Sequence, residues 1–209
     1  MRETIAIVGG TGAEGMALAL RFARAGARVR VGSRTVERAR AAATLIAGKA
    51  GSGAVEGFEN AVAVREADVI VLTVPPDAQI STLQALASSF RPGAVLVDAT
   101  VRLKSEQNSA LLAAEHVPEG VRVASAFHTL SAGLAGNLEE SIDSDVLICA
   151  DDPEAKSAVS ALVQMLPGAR PVDLGGLKKS RLIENTVQLL IALNRAHKVK
   201  HSGIRITGL

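Results

Sequence analysis

The sequence predicts an α/β protein: a doubly wound, mostly parallel sheet covered by helices, with a helical extension at the carboxyl end. Three observations predict it. Apolar runs of strand length alternate with helix-period segments from the first residues to about residue 177. Several of those runs, such as Thr4–Val8 and Val69–Thr73, are almost continuously apolar, as in strands buried on both faces. The final stretch, Lys179–Lys200, then reads as one long helix.

The elements follow in order. Thr4–Val8 reads as a buried strand and Ala13–Ala25 as an amphipathic helix stopped by Gly26. Arg28–Gly32 is a second strand, followed by an Ala- and Arg-rich helix near Val36–Lys49. Gly48–Gly53 reads as a turn, with a short strand near Ala54–Glu56 and a small helix near Glu59–Val64 behind it. Val69–Thr73 is another buried strand; Val74-Pro75-Pro76 ends it, because a residue before proline is pushed out of the helical region. A helix over Asp77–Ser89, a turn at Arg91-Pro92-Gly93 and a strand at Ala94–Asp98 continue the alternation. A polar helix is expected over Ser105–Glu115, then strands at Val121–Ala126 and Asp145–Ala150. Asp151-Asp152 before Pro153 caps a helix running to about Met165, and a last strand lies near Arg170–Asp173. In the terminal helix Leu182, Ile183, Val187, Leu190, Ile191 and Leu193 cover more than one face. Such a helix must be buried on several sides, by the domain or by a second subunit.

Composition narrows the function. The 209 residues are 48% hydrophobic and 21% charged, enough for a sizeable core. There is no Trp or Tyr, which argues against a stacked-aromatic nucleic-acid platform. A net charge of +2 is too balanced for a polyanion binder. One cysteine, Cys149, excludes an internal disulfide and multi-thiolate metal sites; within an apolar strand it reads as an inert core thiol. No apolar run approaches the roughly 18 residues of a membrane span. A strand from Thr4 leaves no room for a signal peptide, so a soluble cytoplasmic protein without metal is expected.

The most informative motif follows the first strand. Gly10, Gly12 and Gly15 satisfy G-x-G-x-x-G between a strand and a helix, the context a dinucleotide fingerprint requires. The first glycine allows the tight turn, the second lets backbone approach a pyrophosphate, and the third lets helix pack on strand. At the end of the second strand an NAD binder usually carries an acid for the ribose 2′-OH, about 20 positions on. Here the chain reads Gly32-Ser33-Arg34, with Arg38 a turn later. Hydroxyl and guanidinium groups suit a 2′-phosphate and favour NADP(H). Thr73, Val74 and Pro75 should border the nicotinamide ribose. The domain division expected is 1–177, a Rossmann-like NADP-binding domain, and 178–209, a capping or dimerising helix and tail.

Beyond the fingerprint, Ser125-Ala126-Phe127-His128-Thr129-Leu130-Ser131-Ala132, Asn137-Leu138 and the ending Gly203-Ile204-Arg205-Ile206-Thr207-Gly208-Leu209 carry a resemblance. With Gly9-Gly10-Thr11-Gly12 and Gly32-Ser33-Arg34 they are similar to the NADPH-dependent reductases of the deazaflavin coenzyme F420, from residue 4 to the carboxyl terminus. The resemblance implies hydride transfer between NADP(H) and coenzyme F420 as co-substrate. It implies Thr11 and Gly12 at the pyrophosphate, Ser33, Arg34 and Arg38 at the 2′-phosphate, and His128, Ser131 and Ala132 where the two rings meet. It also implies a homodimer that buries the terminal helix. The chain departs from the family after its strand ending at Asp98, where an apolar, proline-containing segment is usual. Read from the residues alone, reduction of a flavin or another small acceptor, or a non-catalytic dinucleotide-binding module, stay open. His116, His197 and His201 are expected on surfaces. Lys178, Lys179 and Arg181 are either solvated or placed to meet an acidic tail of the acceptor.

Overall fold

A computed structural model describes residues 3–209 apart from 52, 53, 104 and 106. The chain runs β1 (Thr4–Val8), α1 (Ala13–Arg24), β2 (Arg28–Ser33), α2 (Val36–Ala50), β3 (Val55–Glu59), α3 (Asn60–Arg65) and β4 (Val69–Leu72). It continues through α4 (Gln79–Leu86), β5 (Val95–Asp98), α5 (Ser109–Ala114), β6 (Arg122–Ser125), α6 (Ala132–Ala135), β7 (Ser144–Ala150), α7 (Pro153–Gln164), β8 (Ala169–Gly175) and α8 (Ser180–His197).

Among the described residues eight strands form one sheet in the order β3-β2-β1-β4-β5-β6-β7-β8. Every pair is parallel except β6 with β7. The chain winds outward from β1 to β3, then returns to place β4 on the other side of β1. A crevice opens at such a reversal beyond the carboxyl ends of the strands. The apolar runs behave as buried strands should. In β1, Ile5 and Ile7 join the core on one face, while Ala6 and Val8 join the core on the other. Leu147, Cys149 and Ile183 form a third, smaller cluster, with Ile206 of the tail packed against it.

Differences from the expected boundaries have local causes. The helix before Gly51 runs through Gly48, and Gly51, at φ 65°, ends it; the rest of the turn expected to Gly53 lies outside the described residues. The polar helix expected from Ser105 begins at Ser109, because Asn108 caps it by accepting from the Leu111 N–H; Glu106, within the expected span, lies outside the described residues. The segment expected as one helix over Asp77–Ser89 has 3₁₀ turns at both ends of α4. The four-residue α6 was not anticipated; it carries no long periodic pattern. Among the described residues no helix is long and apolar enough to cross a membrane.

Candidate functional site

The crevice at the reversal holds a cavity of about 570 Å³ between the β1–α1 turn, the end of β2, and the segments after β4 and β5. The three glycines divide their work. A Cβ at Gly10 would lie 2.9 Å from both the Ile7 carbonyl oxygen and Val31 Cγ1. One at Gly15 would lie 2.7 Å from Thr73 Oγ1 and 2.8 Å from Gly10 Cα. These two positions are packing contacts and do not line the cavity. Gly12 does line it, and a Cβ there would meet nothing nearer than 3.4 Å, so its backbone is open to a ligand. Gly12 is also the N-cap of α1, with no side chain capping the helix start. The positive end of the helix dipole therefore faces the cavity, as an anion site requires.

Of the other expected residues, Thr11, Ser33, Arg34, Arg38, Thr73, Val74 and Pro75 all line the cavity. Thr73 is fixed by its hydroxyl, which donates to the Val8 carbonyl at 3.0 Å. Ser33 is buried, whereas Arg34 and Arg38 are exposed. Neither arginine joins an ion pair among the described residues, so both guanidiniums are available to an anion. Glu59 pairs with Ser33 in the β2–β3 register but lines an adjoining hollow and not this cavity. Asn60 lines both, and its Oδ1 is buried without a partner. An open backbone at a helix start, two unpaired guanidiniums and an orphaned amide fit a dinucleotide bearing a 2′-phosphate.

The residues expected on the acceptor side do not line this cavity. His128 is 7% exposed, and neither ring nitrogen makes a well-formed hydrogen bond. Burial pulls its pKa down to about 4, against the backbone at Thr100 and Ala126, so the ring is uncharged at neutral pH. It follows Phe127, held at φ 73°, a region costly for a bulky residue, and locked edge-to-face on Phe22 at 6.2 Å. Ser131 Oγ lies 2.6 Å from His201 Nδ1 of the tail. The His201 ring occupies the place a Cβ at Gly133 would need. His201, expected as a plain surface residue, is exposed but fastens this loop. Ala132 lines a separate apolar hollow with Ala13 and Met16. Arg21, buried in α1, holds the loop by donating to the carbonyls of Leu134, Ala135, Asn137 and Glu140.

Sequence reasoning passed over a polar cluster behind the cavity. Asp98, at the end of β5, is fully buried and accepts at Oδ1 from Gln79 Nε2 (3.0 Å) and the Thr100 N–H (3.2 Å). Its Oδ2, Thr100 Oγ1 and Ser125 Oγ are buried without well-formed partners. Burial raises the Asp98 pKa to about 6, against hydrogen-bonding groups of Thr100, Ser109 and Gln79. Glu14, in the first turn of α1, lines the cavity; burial, and secondarily Asp98, raise its carboxyl to about 8. Glu14 keeps some exposure because the cavity opens onto it. Its place inside the fingerprint was the available signal. Asp98 was visible as an acid ending an apolar strand.

Comparison with known proteins agrees with this geometry. The family model "NADP oxidoreductase coenzyme F420-dependent" matches residues 4–102. The F420-dependent NADP reductase of Methanothermobacter thermautotrophicus is 41% identical, over 98% of this chain and 95% of its own length. The enzyme of the same name from Methanocaldococcus jannaschii is 34% identical, over 98% of each. In fold, a crystal structure of an F420-dependent NADP-reductase from Arthrobacter sp. FB24 superposes with a TM-score of 0.83 at 22% identity, covering 98% of this chain and 99% of that one. With near-full-length identity above one third and the fingerprint in structural register, the chain belongs to the family of F420-dependent NADP reductases.

Proposed function

We propose that the chain binds NADP(H) in the cavity and passes a hydride between it and the deazaflavin coenzyme F420. The observation that carries this reading is one cavity joining the open backbone at Gly12 to the unpaired guanidiniums of Arg34 and Arg38. Thr11 and Gly12 hold the pyrophosphate at the start of α1, while Gly10 and Gly15 keep the turn close to β1 and β4. Ser33, Arg34 and Arg38 hold the 2′-phosphate, and Thr73, Val74 and Pro75 border the nicotinamide ribose. Bound NADP(H) supplies or receives the hydride. The protein's part is to set the two rings face to face and exclude water. On the acceptor side, His128 is an uncharged wall, Ser131 is oriented by His201, and Ala132 opens α6 against Ala13.

Residues 1–177 serve as the nucleotide-binding domain, and 178–209 cap it and join two copies into a homodimer in the cytoplasm. Exposed Leu182, Leu189 and Leu193 on α8 support the dimer.

The test mixes protein, NADPH and oxidised coenzyme F420 and follows the absorbance of both. Matched loss of NADPH and oxidised deazaflavin is expected. No reaction there, beside rapid reduction of a free flavin, would overturn the deazaflavin in favour of a flavin. NADP binding without transfer to any planar acceptor would leave a binding module.

A further inference from the structure

We propose that Glu14 discriminates oxidised from reduced nicotinamide, and that Asp98, behind the cavity, moves upward the pH at which it does so. The inference rests on NADP(H) lying in the cavity as proposed above. Among the described residues that line the cavity, Glu14 is the one acid. The two guanidiniums of Arg34 and Arg38 stand at the β2 end. A dinucleotide with its 2′-phosphate there and its pyrophosphate at Gly12 sends its nicotinamide toward the segments after β4 and β5, Thr73–Pro75 and Ala99–Val101. Glu14 stands at that end, its carboxyl near enough to Asp98, the last residue of β5, to feel that charge. Gly15 beside it is pressed onto Thr73, which fixes how α1 is turned where residue 14 leaves the helix.

The two redox states differ by one charge at the ring: oxidised nicotinamide is a cation, reduced nicotinamide is neutral. An ionised carboxylate beside the ring stabilises the cation, and a protonated carboxyl does not. Glu14 therefore has to be neutral in one condition and charged in another to act as a selector. Burial and the Asp98 carboxyl place that change near pH 8. NADP⁺ binding lowers the Glu14 pKa and releases its proton to solvent; NADPH binding leaves the proton in place.

The groups that face Glu14 are few. From β5 comes Asp98, itself raised to about 6 and so an anion when Glu14 titrates. Arg34 and Arg38 line the same cavity but stand at its β2 end, away from Glu14. The segment after β4 carries one acid, Asp77, which does not line the cavity, and the helix α6 brings no titratable side chain. Arg102, in the loop after β5, is tied to Gln79 Oε1 at 3.2 Å and to the Pro76 carbonyl at 2.5 Å. His128 is uncharged at neutral pH. Beside burial, Asp98 is the charged group that delays Glu14 ionisation.

The experiment titrates NADP⁺ and NADPH separately into the intact protein by calorimetry at a series of pH values from about 6.5 to about 9. The ratio Kd(NADPH)/Kd(NADP⁺) cancels the 2′-phosphate, whose ionisation is common to both ligands. In the unmodified protein this ratio is expected to rise about tenfold across that interval, the change matching one pKa unit of coupling. In Glu14→Gln the ratio should stay flat, and in Asp98→Asn the rise should move to lower pH. A flat ratio in the unmodified protein, an equal rise in Glu14→Gln, or an unmoved midpoint in Asp98→Asn overturns the inference. Failure of both nucleotides to bind at any of these pH values overturns instead the cavity assignment beneath it.

Discussion

Arg34 and Arg38 line the cavity without a carboxylate partner among the described residues, and their charge is the clearest residue-scale feature of the site. Arg34→Ala is expected to weaken NADPH by about 1.5–3 kcal/mol, the range for a hydrogen bond to a charged group. NADH, which lacks the 2′-phosphate, should bind almost unchanged. Equal losses for both nucleotides, measured by calorimetry, would show that Arg34 does not read the phosphate. These residues were legible in the sequence because a fingerprint is local: strand, turn and helix fix the positions of Gly12, Ser33 and Arg34 within one βαβ unit. Glu14 and Asp98 were less legible for the opposite reason. Their chemistry comes from burial and from each other, and they lie on elements far apart in the chain. His128 was visible as a candidate, but its neutrality follows from burial that no motif encodes.

At the scale of elements, α8 separates what pattern reveals from what it hides. Its apolar residues point in two directions. Ile183 and Leu190 are buried in the domain, whereas Leu182, Leu189 and Leu193 are 55%, 56% and 38% exposed. The spacing of the exposed three puts them along one side of the helix, and an exposed apolar stripe marks an interaction surface. Leu189→Glu is expected to convert the proposed homodimer to monomers in light scattering, without unfolding the domain, because the side chain is outside the core. A monomer before the substitution, or a dimer unaffected by it, would remove α8 from the interface. The inward side is anchored by Glu184, 1% exposed, which accepts from the backbone N–H of Arg102 (2.8 Å) and of Ser109 (3.0 Å). Helical period predicted a helix buried on several sides. That one acid would tie it to the backbone of Arg102 and Ser109 depends on tertiary placement, which period does not carry. The same holds for α6, four residues long and shaped by Arg21 from a helix more than a hundred positions earlier.

The whole molecule is closed by its tail and balanced by its buried acids. Asp145, fully buried in β7, accepts from Arg170 Nε and Nη2, from Arg205 Nη1 and from the Ile206 N–H. Those bonds, chiefly from Arg170, hold its carboxyl well below the usual range. Its stabilising contribution is therefore present above pH 3.8 and is lost in stronger acid. Asp98 acts with the opposite sign. Its pKa rises from 3.8 to about 6 on folding. Between those values the unfolded chain has lost a proton that the folded chain keeps, so stability falls as pH rises through the window. Glu14, raised from 4.5 to about 8, extends the decline toward neutral and mildly basic pH. His128, lowered from 6.5 to about 4, opposes it, because acidification below 6.5 charges the unfolded imidazole first. Asp98→Asn isolates one contribution. The amide oxygen can keep the hydrogen bonds from Gln79 and Thr100, and the amide N–H₂ stands where a protonated Oδ2 would, near the unpartnered Thr100 and Ser125 hydroxyls. The variant should match the unmodified protein near pH 4. Above pH 6 it should be the more stable, by up to about 3 kcal/mol, at roughly 1.4 kcal/mol per pKa unit. Urea unfolding at a series of pH values reads the difference directly. A variant less stable at every pH would show that the Asp98 carboxylate is satisfied in the folded protein, and would place the polar cluster behind the cavity among the structural supports of the fold.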